Sequence, residues 1–196
     1  MQRFTSETAD PDTIVDELLR GKGAVLLTGL FCDAQIADAL AIIHQHSAES
    51  VMVSHFQGKS EEEGTFHLQR RVWILLSKGD VFSDMAAHPV VMAILRKLLG
   101  TEFIMGSIAA NRLLPGGPGQ EPHVDYPYWD FYKSETHPTG LNASFPMNAQ
   151  VSILLDPFTP ETGATAYVPG SQKELRYPTE ADNFYDKCER MLGEPG

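Results

Sequence analysis

QVSILLDPFTPETGATAYVPGS, residues 150–171, sets two apolar stretches around a Pro/Thr/Gly-rich break. NAQVSILLD (148–156) alternates in part and predicts a buried strand; PFTPETG (157–163) predicts a turn and ATAYV (164–168) a second strand. PGSQK (169–173) punctuates again with turn residues. Strand, turn, strand, turn over so short a distance is the pattern of a β-rich region.

Upstream, EFIMGSIAANRLL (102–114) predicts a long strand, followed by the glycine- and proline-rich loop LPGGPGQEP and a short extended HVDY. Residues 127–146 mix prolines with aromatics and read as a long irregular loop, a length that in compact domains is often functional. The first hundred residues differ in character. Asp10 and Pro11 open a helix carrying Ile14, Leu18 and Leu19; GAVLLTGL (23–30) fits a strand. Asp33 can cap a helix with Ile36, Leu40 and Ile43 on one stripe, and HPVVMAILRKLLG (88–100) is a further amphipathic helix with Pro89 near its start and Gly100 past its end. TEADNFYDKCERML (179–192) also reads as helical. Helices first and strands afterwards predict an α+β fold in one domain, 1–196. Residues 1–100 form a mainly helical part packed on a mostly β core in 101–196.

Composition narrows the function. Apolar residues make up 42% and charged residues 21%, an ordinary globular balance. The 15 basic residues are scattered, with Arg70-Arg71 the one adjacent arginine pair, against 26 acidic ones. A net charge of −11 argues against nucleic acid and against an anionic membrane as partners. No apolar run reaches the roughly 18 residues that span a bilayer. The polar, acidic opening MQRFTSETADPD lacks the features of a signal peptide, so the expected location is cytoplasmic. Cys32 and Cys188 are too few and too far apart for a disulfide framework or zinc site, and are expected to be small buried side chains or inert thiols.

EPHVDYPYWD (121–130) is the chemically loaded stretch. On an extended strand His123 and Asp125 point to one side, so an imidazole and a carboxylate project together. With one further histidine they would form the facial triad that holds non-haem Fe(II) and leaves positions open for oxygen chemistry. A surface or structural His-x-Asp pair is the plain alternative. Tyr126, Tyr128 and Trp129 follow at once, and they fit either the mouth of a substrate pocket or ordinary core. His44, His46, His55, His67 and His88 read as helix or loop residues; His137 lies in the aromatic loop.

Three features together, ANRLLPGGPGQEPHVDYPYW (110–129), QVSILLDPFTPETGATAYVPGS (150–171) and their order and spacing, resemble the phytanoyl-CoA dioxygenase family of Fe(II)- and 2-oxoglutarate-dependent oxygenases. The likeness is strong over 100–175, and Gln172 stands where the family's Pro-Gly-Ser/Thr is followed by His. The resemblance implies a double-stranded β-helix (jelly-roll, cupin-like) with the N-terminal helices packed on it. It also implies His123 and Asp125 as iron ligands, and Gln120, Thr165 and Asn111 as residues touching 2-oxoglutarate. Each of those three has a plainer reading: Gln120 as solvated, Asn111 as a strand-end cap, Thr165 as a good strand former.

The family's distal histidine and its 2-oxoglutarate arginine have no counterpart here. MLGEPG stands where the turn before them is expected, so the resemblance implies a β-helix incomplete at its C-terminal side. The implied function is hydroxylation of a small organic substrate with Fe(II), the co-substrate 2-oxoglutarate and dioxygen. Asp125 favours hydroxylation over halogenation, because halogenating relatives carry a small residue at this position. The absence of a basic cluster speaks against a coenzyme A handle on the substrate. The alternative is a non-catalytic or degenerate binding protein on the same fold.

Overall fold

The computed structural model describes residues 1–49, 66–117, 119–124, 146–174 and 178–196. Strand β1 (Gln2–Thr5) leads to helix α1 (Pro11–Arg20). Helix α1 starts where its sequence signals place it: the Asp10 carboxylate accepts from the backbone N–H of Thr13 at 2.9 Å and from its hydroxyl at 2.6 Å. Pro11, which has no N–H to leave unpaired, takes the first helical position. Strand β2 (Val25–Thr28) then pairs with β1 in parallel, Gln2 opposite Val25 through Thr5 opposite Thr28.

Helix α2 (Asp33–Glu49) follows, with Asp33 as its first residue rather than its cap. Strand β3 (Gln69–Trp73), helix α3 (Asp80–Ala86) and helix α4 (Pro89–Leu99) lead to strand β4 (Ala109–Leu113). Ile14 and Val15 of α1 pack on Ile94 of α4 in one apolar cluster. A second cluster joins Ile36, Ala39 and Ile43 of α2, Val72 of β3, Leu75, and Val81, Phe82 and Met85 of α3. Burial of this kind stabilises by about 1.5–3 kcal/mol per large side chain.

Strands β3 and β4 pair antiparallel: Gln69 opposite Leu113, Arg70 opposite Arg112, Arg71 opposite Asn111, Val72 opposite Ala110, Trp73 opposite Ala109. Val72 and Ala110 face the second cluster, so the alternation of a strand assigns Arg70 and Arg112 to that helix side and Gln69, Arg71, Trp73, Asn111 and Leu113 to the other. On the helix side, the Arg70 guanidinium donates to the Ser47 carbonyl at 3.3 Å and that of Arg112 to the Ser47 hydroxyl at 3.1 Å. Ser47 is fully buried in the last turn of α2, where cations offset the negative end of the helix dipole. Two arginines that would repel each other across a ladder are thereby held by one helix terminus.

Several sequence expectations are corrected. The long strand over 102–114 is regular only at Ala109–Leu113. Its partner leaves at Ile74, whose φ of 58° turns the chain into the short helical turn Leu75–Ser77, and the ladder ends at Trp73–Ala109. The buried strand expected over 148–156 forms no ladder. Ile153 and Leu155 pack against the second cluster as the alternation implies, but Val151 is exposed. The helix over 179–192 breaks into the turns Glu180–Asp182 and α5 (Phe184–Lys187) at Asn183, whose φ is 50°. Its end becomes β6 (Glu189–Arg190), which pairs antiparallel with β5 (Ala166–Tyr167). Cys32 is exposed and Cys188 half-buried, so of the two readings offered for them the small buried side chain does not hold. Three two-stranded ladders are the sheets among the described residues, and they do not by themselves make a double-stranded β-helix. No helix among these residues is long and apolar enough to cross a membrane.

Gln172, where the resemblance expects His, fastens two elements together. Its amide donates to the carbonyls of Leu18 (3.1 Å) and Gly21 (3.2 Å). Lys173 adds a bond to the Arg20 carbonyl at 2.7 Å. The turn after β5 therefore caps the C-terminal end of α1, whose last carbonyls have no partner within the helix.

Candidate active site

Strand β4 delivers the chain to the His123 region through a tight turn. Pro115 and Gly116 occupy its central positions, Gly116 has φ +81°, and the Gly117 N–H donates to the Leu114 carbonyl at 2.9 Å. Proline at the first central position and glycine at the second are what a type II turn requires. The Leu114 N–H in turn donates to the Leu68 carbonyl at 2.8 Å, anchoring the turn to the start of β3.

His123 is exposed, and its Nδ1 lies 2.6 Å from the Glu121 carbonyl. A carbonyl only accepts, so Nδ1 is the donor here, and Nε2 is the nitrogen a metal would take. This is the arrangement that orients a metal-binding imidazole from behind. Asp125, Tyr126, Tyr128 and Trp129 lie outside the described residues, as do His55 and His137. Among the described residues no three His, Cys, Asp or Glu side chains gather as a metal site. Beside Glu121 and Pro122 a cleft of about 460 Å³ opens, its far wall formed by Thr179, Glu180, Asn183 and Phe184.

The three residues expected at the co-substrate are all exposed. Gln120 stands in the loop before His123. Asn111 projects from β4 on the side away from the helices, directly across from Arg71. Thr165 precedes β5, and its carbonyl accepts from the Met191 N–H at 2.8 Å. Asn111 and Thr165 are each two residues from one contact: a Cβ placed on Gly163 would meet Leu113 Cδ2 at 3.2 Å. The turn carrying Thr165 therefore comes against the same side of the ladder that carries Asn111.

Sequence reasoning missed what shares that side. The Arg71 guanidinium carbon lies 5.3 Å from the centroid of the Trp73 ring, a cation–π arrangement. The signal was present in QRRVW (69–73), whose alternation puts residues 69, 71 and 73 together once a strand is assumed.

Away from this region, Glu189 accepts from Lys22 at 2.6 Å, and the Tyr167 hydroxyl donates to it at 3.4 Å. The hydrogen bond to Lys22 holds the Glu189 carboxyl below its ordinary range, and the same bond raises Lys22. Burial, then the charge of Glu189, pushes the Tyr167 phenol up. This group ties the end of α1 to β5 and β6 and is a fastening rather than a site.

Comparison with known proteins gives a consistent result. The family model for phytanoyl-CoA dioxygenase (PhyH) matches residues 19–193. Dioxygenase lolE1 of Epichloe uncinata is 28% identical over 155 residues, covering 79% of this chain and 54% of that protein. Dioxygenase af480 of Aspergillus fumigatus is 26% identical over 175 residues, covering 86% and 51%. Dioxygenase trt7 of Aspergillus terreus is 30% identical over 103 residues, covering 50% and 34%. The chain spans about half the length of the first two relatives.

Proposed function

The chain belongs to the phytanoyl-CoA dioxygenase (PhyH) family, and from that premise we propose that it is the part of an Fe(II)- and 2-oxoglutarate-dependent dioxygenase that hydroxylates a small organic substrate. Membership supports an oxygenase of cupin or jelly-roll type, acting on a small molecule with dioxygen. The iron, the co-substrate and the site residues are our reading, and the observation that carries it is the His123 ring, with Nδ1 tied to the Glu121 carbonyl.

His123 and Asp125 fit Fe(II): imidazole and carboxylate are suitable donors, and the Glu121 carbonyl at Nδ1 orients the ring from behind. When bound, the iron with 2-oxoglutarate and dioxygen supplies the oxidant, and 2-oxoglutarate leaves as succinate and CO2. The chain's own residues bind and orient. Asn111, Thr165 and Gln120 are hydrogen-bonding groups for the co-substrate, and the Gly163–Leu113 contact supports placing the first two on one side. Tyr126, Tyr128 and Trp129 follow Asp125 in sequence and are assigned to the substrate pocket, where aromatic walls keep water from the reacting carbon. A cytoplasmic location is part of the same reading.

The test is turnover in the whole protein. Succinate release from 2-oxoglutarate is expected to require added Fe(II) and to fall to background in both His123→Ala and Asp125→Ala, with the fold intact by circular dichroism. Undiminished release in Asp125→Ala would remove the metal assignment.

A further inference from the structure

We propose that the cleft between the loop at 121–122 and the segment 178–186 binds an organic ammonium ion carried on an apolar body, and that this is the amine group of the organic substrate. The word substrate rests on the dioxygenase reading above; the ammonium site rests on the cleft itself.

At about 460 Å³ the cleft lies within the size range of small-molecule sites. Three carboxylates line it, those of Glu121, Glu180 and Asp186, and among the described residues no lysine, arginine or histidine does. Nor is any of the three in an ion pair among the described residues, whereas Asp12, Asp16 and Glu189 each meet a cation. The turn that carries Glu180 is closed by a different carboxylate: Asp182 accepts from the Thr179 N–H at 2.6 Å and from its hydroxyl at 2.9 Å, so Glu180 is not needed there. The three acids are also not gathered at a point, because no three such side chains among the described residues come close enough to hold a metal ion. Carboxylates spread around a cleft suit a cation with a body of its own. Phe184 and Tyr185 line the same cleft, their rings edge to face at 5.3 Å, and Tyr185 is 72% exposed. Aromatic rings attract an ammonium to their faces and cover the apolar part of the same molecule. The overall charge of −11 draws cations in at long range, and the cleft adds orientation. Glu121 joins the cleft to the candidate metal site, since its carbonyl accepts from His123 Nδ1 at 2.6 Å.

Charge and shape are separated by titrating the metal-free chain, by calorimetry at neutral pH, with 3-phenylpropylamine and with the neutral 3-phenylpropan-1-ol. The amine is expected to bind about tenfold more tightly than the alcohol, the size of one charge-assisted contact. Glu180→Gln combined with Asp186→Asn should erase that preference; both positions are exposed, so the fold should survive, as circular dichroism will check. Glu102→Gln, an equally exposed acid outside the cleft, should leave the preference unchanged. Equal binding of amine and alcohol, or a preference that survives the double variant, overturns the site. A preference lost as readily in Glu102→Gln also overturns it, because the net charge alone would then be the cause. A second measurement places the amine relative to the metal. With Mn(II) bound, the ring protons of the amine should show paramagnetic relaxation that disappears in His123→Ala. Amine bound in the cleft without that relaxation overturns the assignment to the substrate. Failure of Mn(II) to bind, read by electron paramagnetic resonance, with the amine preference intact, sinks the dioxygenase reading and leaves the ammonium site standing.

Discussion

On one side of the β3–β4 ladder, Arg70 and Arg112 stand opposite each other and both end on Ser47; on the other, Arg71 stands opposite Asn111 and leans on Trp73. The residue types are nearly the same and the consequences differ. The first side meets a buried helix end and the apolar cluster of Val72, Ile43 and Phe82, so its polar groups are consumed in holding α2 to the sheet. The second carries Asn111, one of the three residues expected at a co-substrate, and there it reaches the surface. One ladder thus has two faces: one that holds α2 and one that we assign to recognition. A strand makes this possible because successive side chains point to opposite faces.

The largest way to break that division is to empty the helix side. Phe82 is 3% exposed, and Phe82→Ala is expected to cost about 3–5 kcal/mol in denaturant unfolding. If the cost were under about 1 kcal/mol, the cluster would not be the core that orders the ladder. Ser47→Ala is the next test. It removes the hydroxyl that accepts from Arg112 in a buried setting, and a loss of about 1–2 kcal/mol is expected. The mirror experiment on the recognition side is Asn111→Ala. Stability should move by no more than about 0.5 kcal/mol, while the KM for 2-oxoglutarate in the whole protein should rise several-fold at unchanged iron affinity. A large stability loss with unaltered KM would reverse the roles assigned to the two faces.

The smallest expected effect lies outside the ladder, in the pair Lys22–Glu189. Glu189 is lowered in the folded chain by its hydrogen bond to Lys22, so its contribution is present above the ordinary carboxylate value and is lost as pH falls through the folded one. Lys22 is raised by the same bond, so its contribution is present below the ordinary lysine value and is lost as pH rises through the folded one. Thermal unfolding followed across pH should therefore show the pair's small stabilisation at neutral pH, fading at both ends and weakening with salt. Lys22→Met should flatten that dependence without touching amine or metal binding.

What was legible from sequence was whatever depends on neighbours a few residues away. Asp10-Pro11 fixed the start of α1, and Pro89 and Gly100 bracketed α4, because caps are satisfied within one turn. The Pro115-Gly116 turn was readable for the same reason. The strands were less so. A strand's extent is set by its partner, so 102–114 shrank to 109–113 once Ile74 turned β3 away. The end of the supposed helix over 179–192 became β6 because β5 was there to pair with it.

The sequence by itself determined the family, which the match over residues 19–193 shows. The His123-Val124-Asp125 run, the aromatics after it and the order of the two long motifs are local facts of the chain. Only the tertiary structure decided the rest. It gave Gln172 to the end of α1, brought Gly163 against Leu113, and separated Arg71 from Arg70 by turning one toward Ser47 and the other over Trp73. In sequence Arg70 and Arg71 are interchangeable neighbours. They part because a strand alternates and helix α2 covers one of its faces, and neither the register nor the covering helix is written at those two positions.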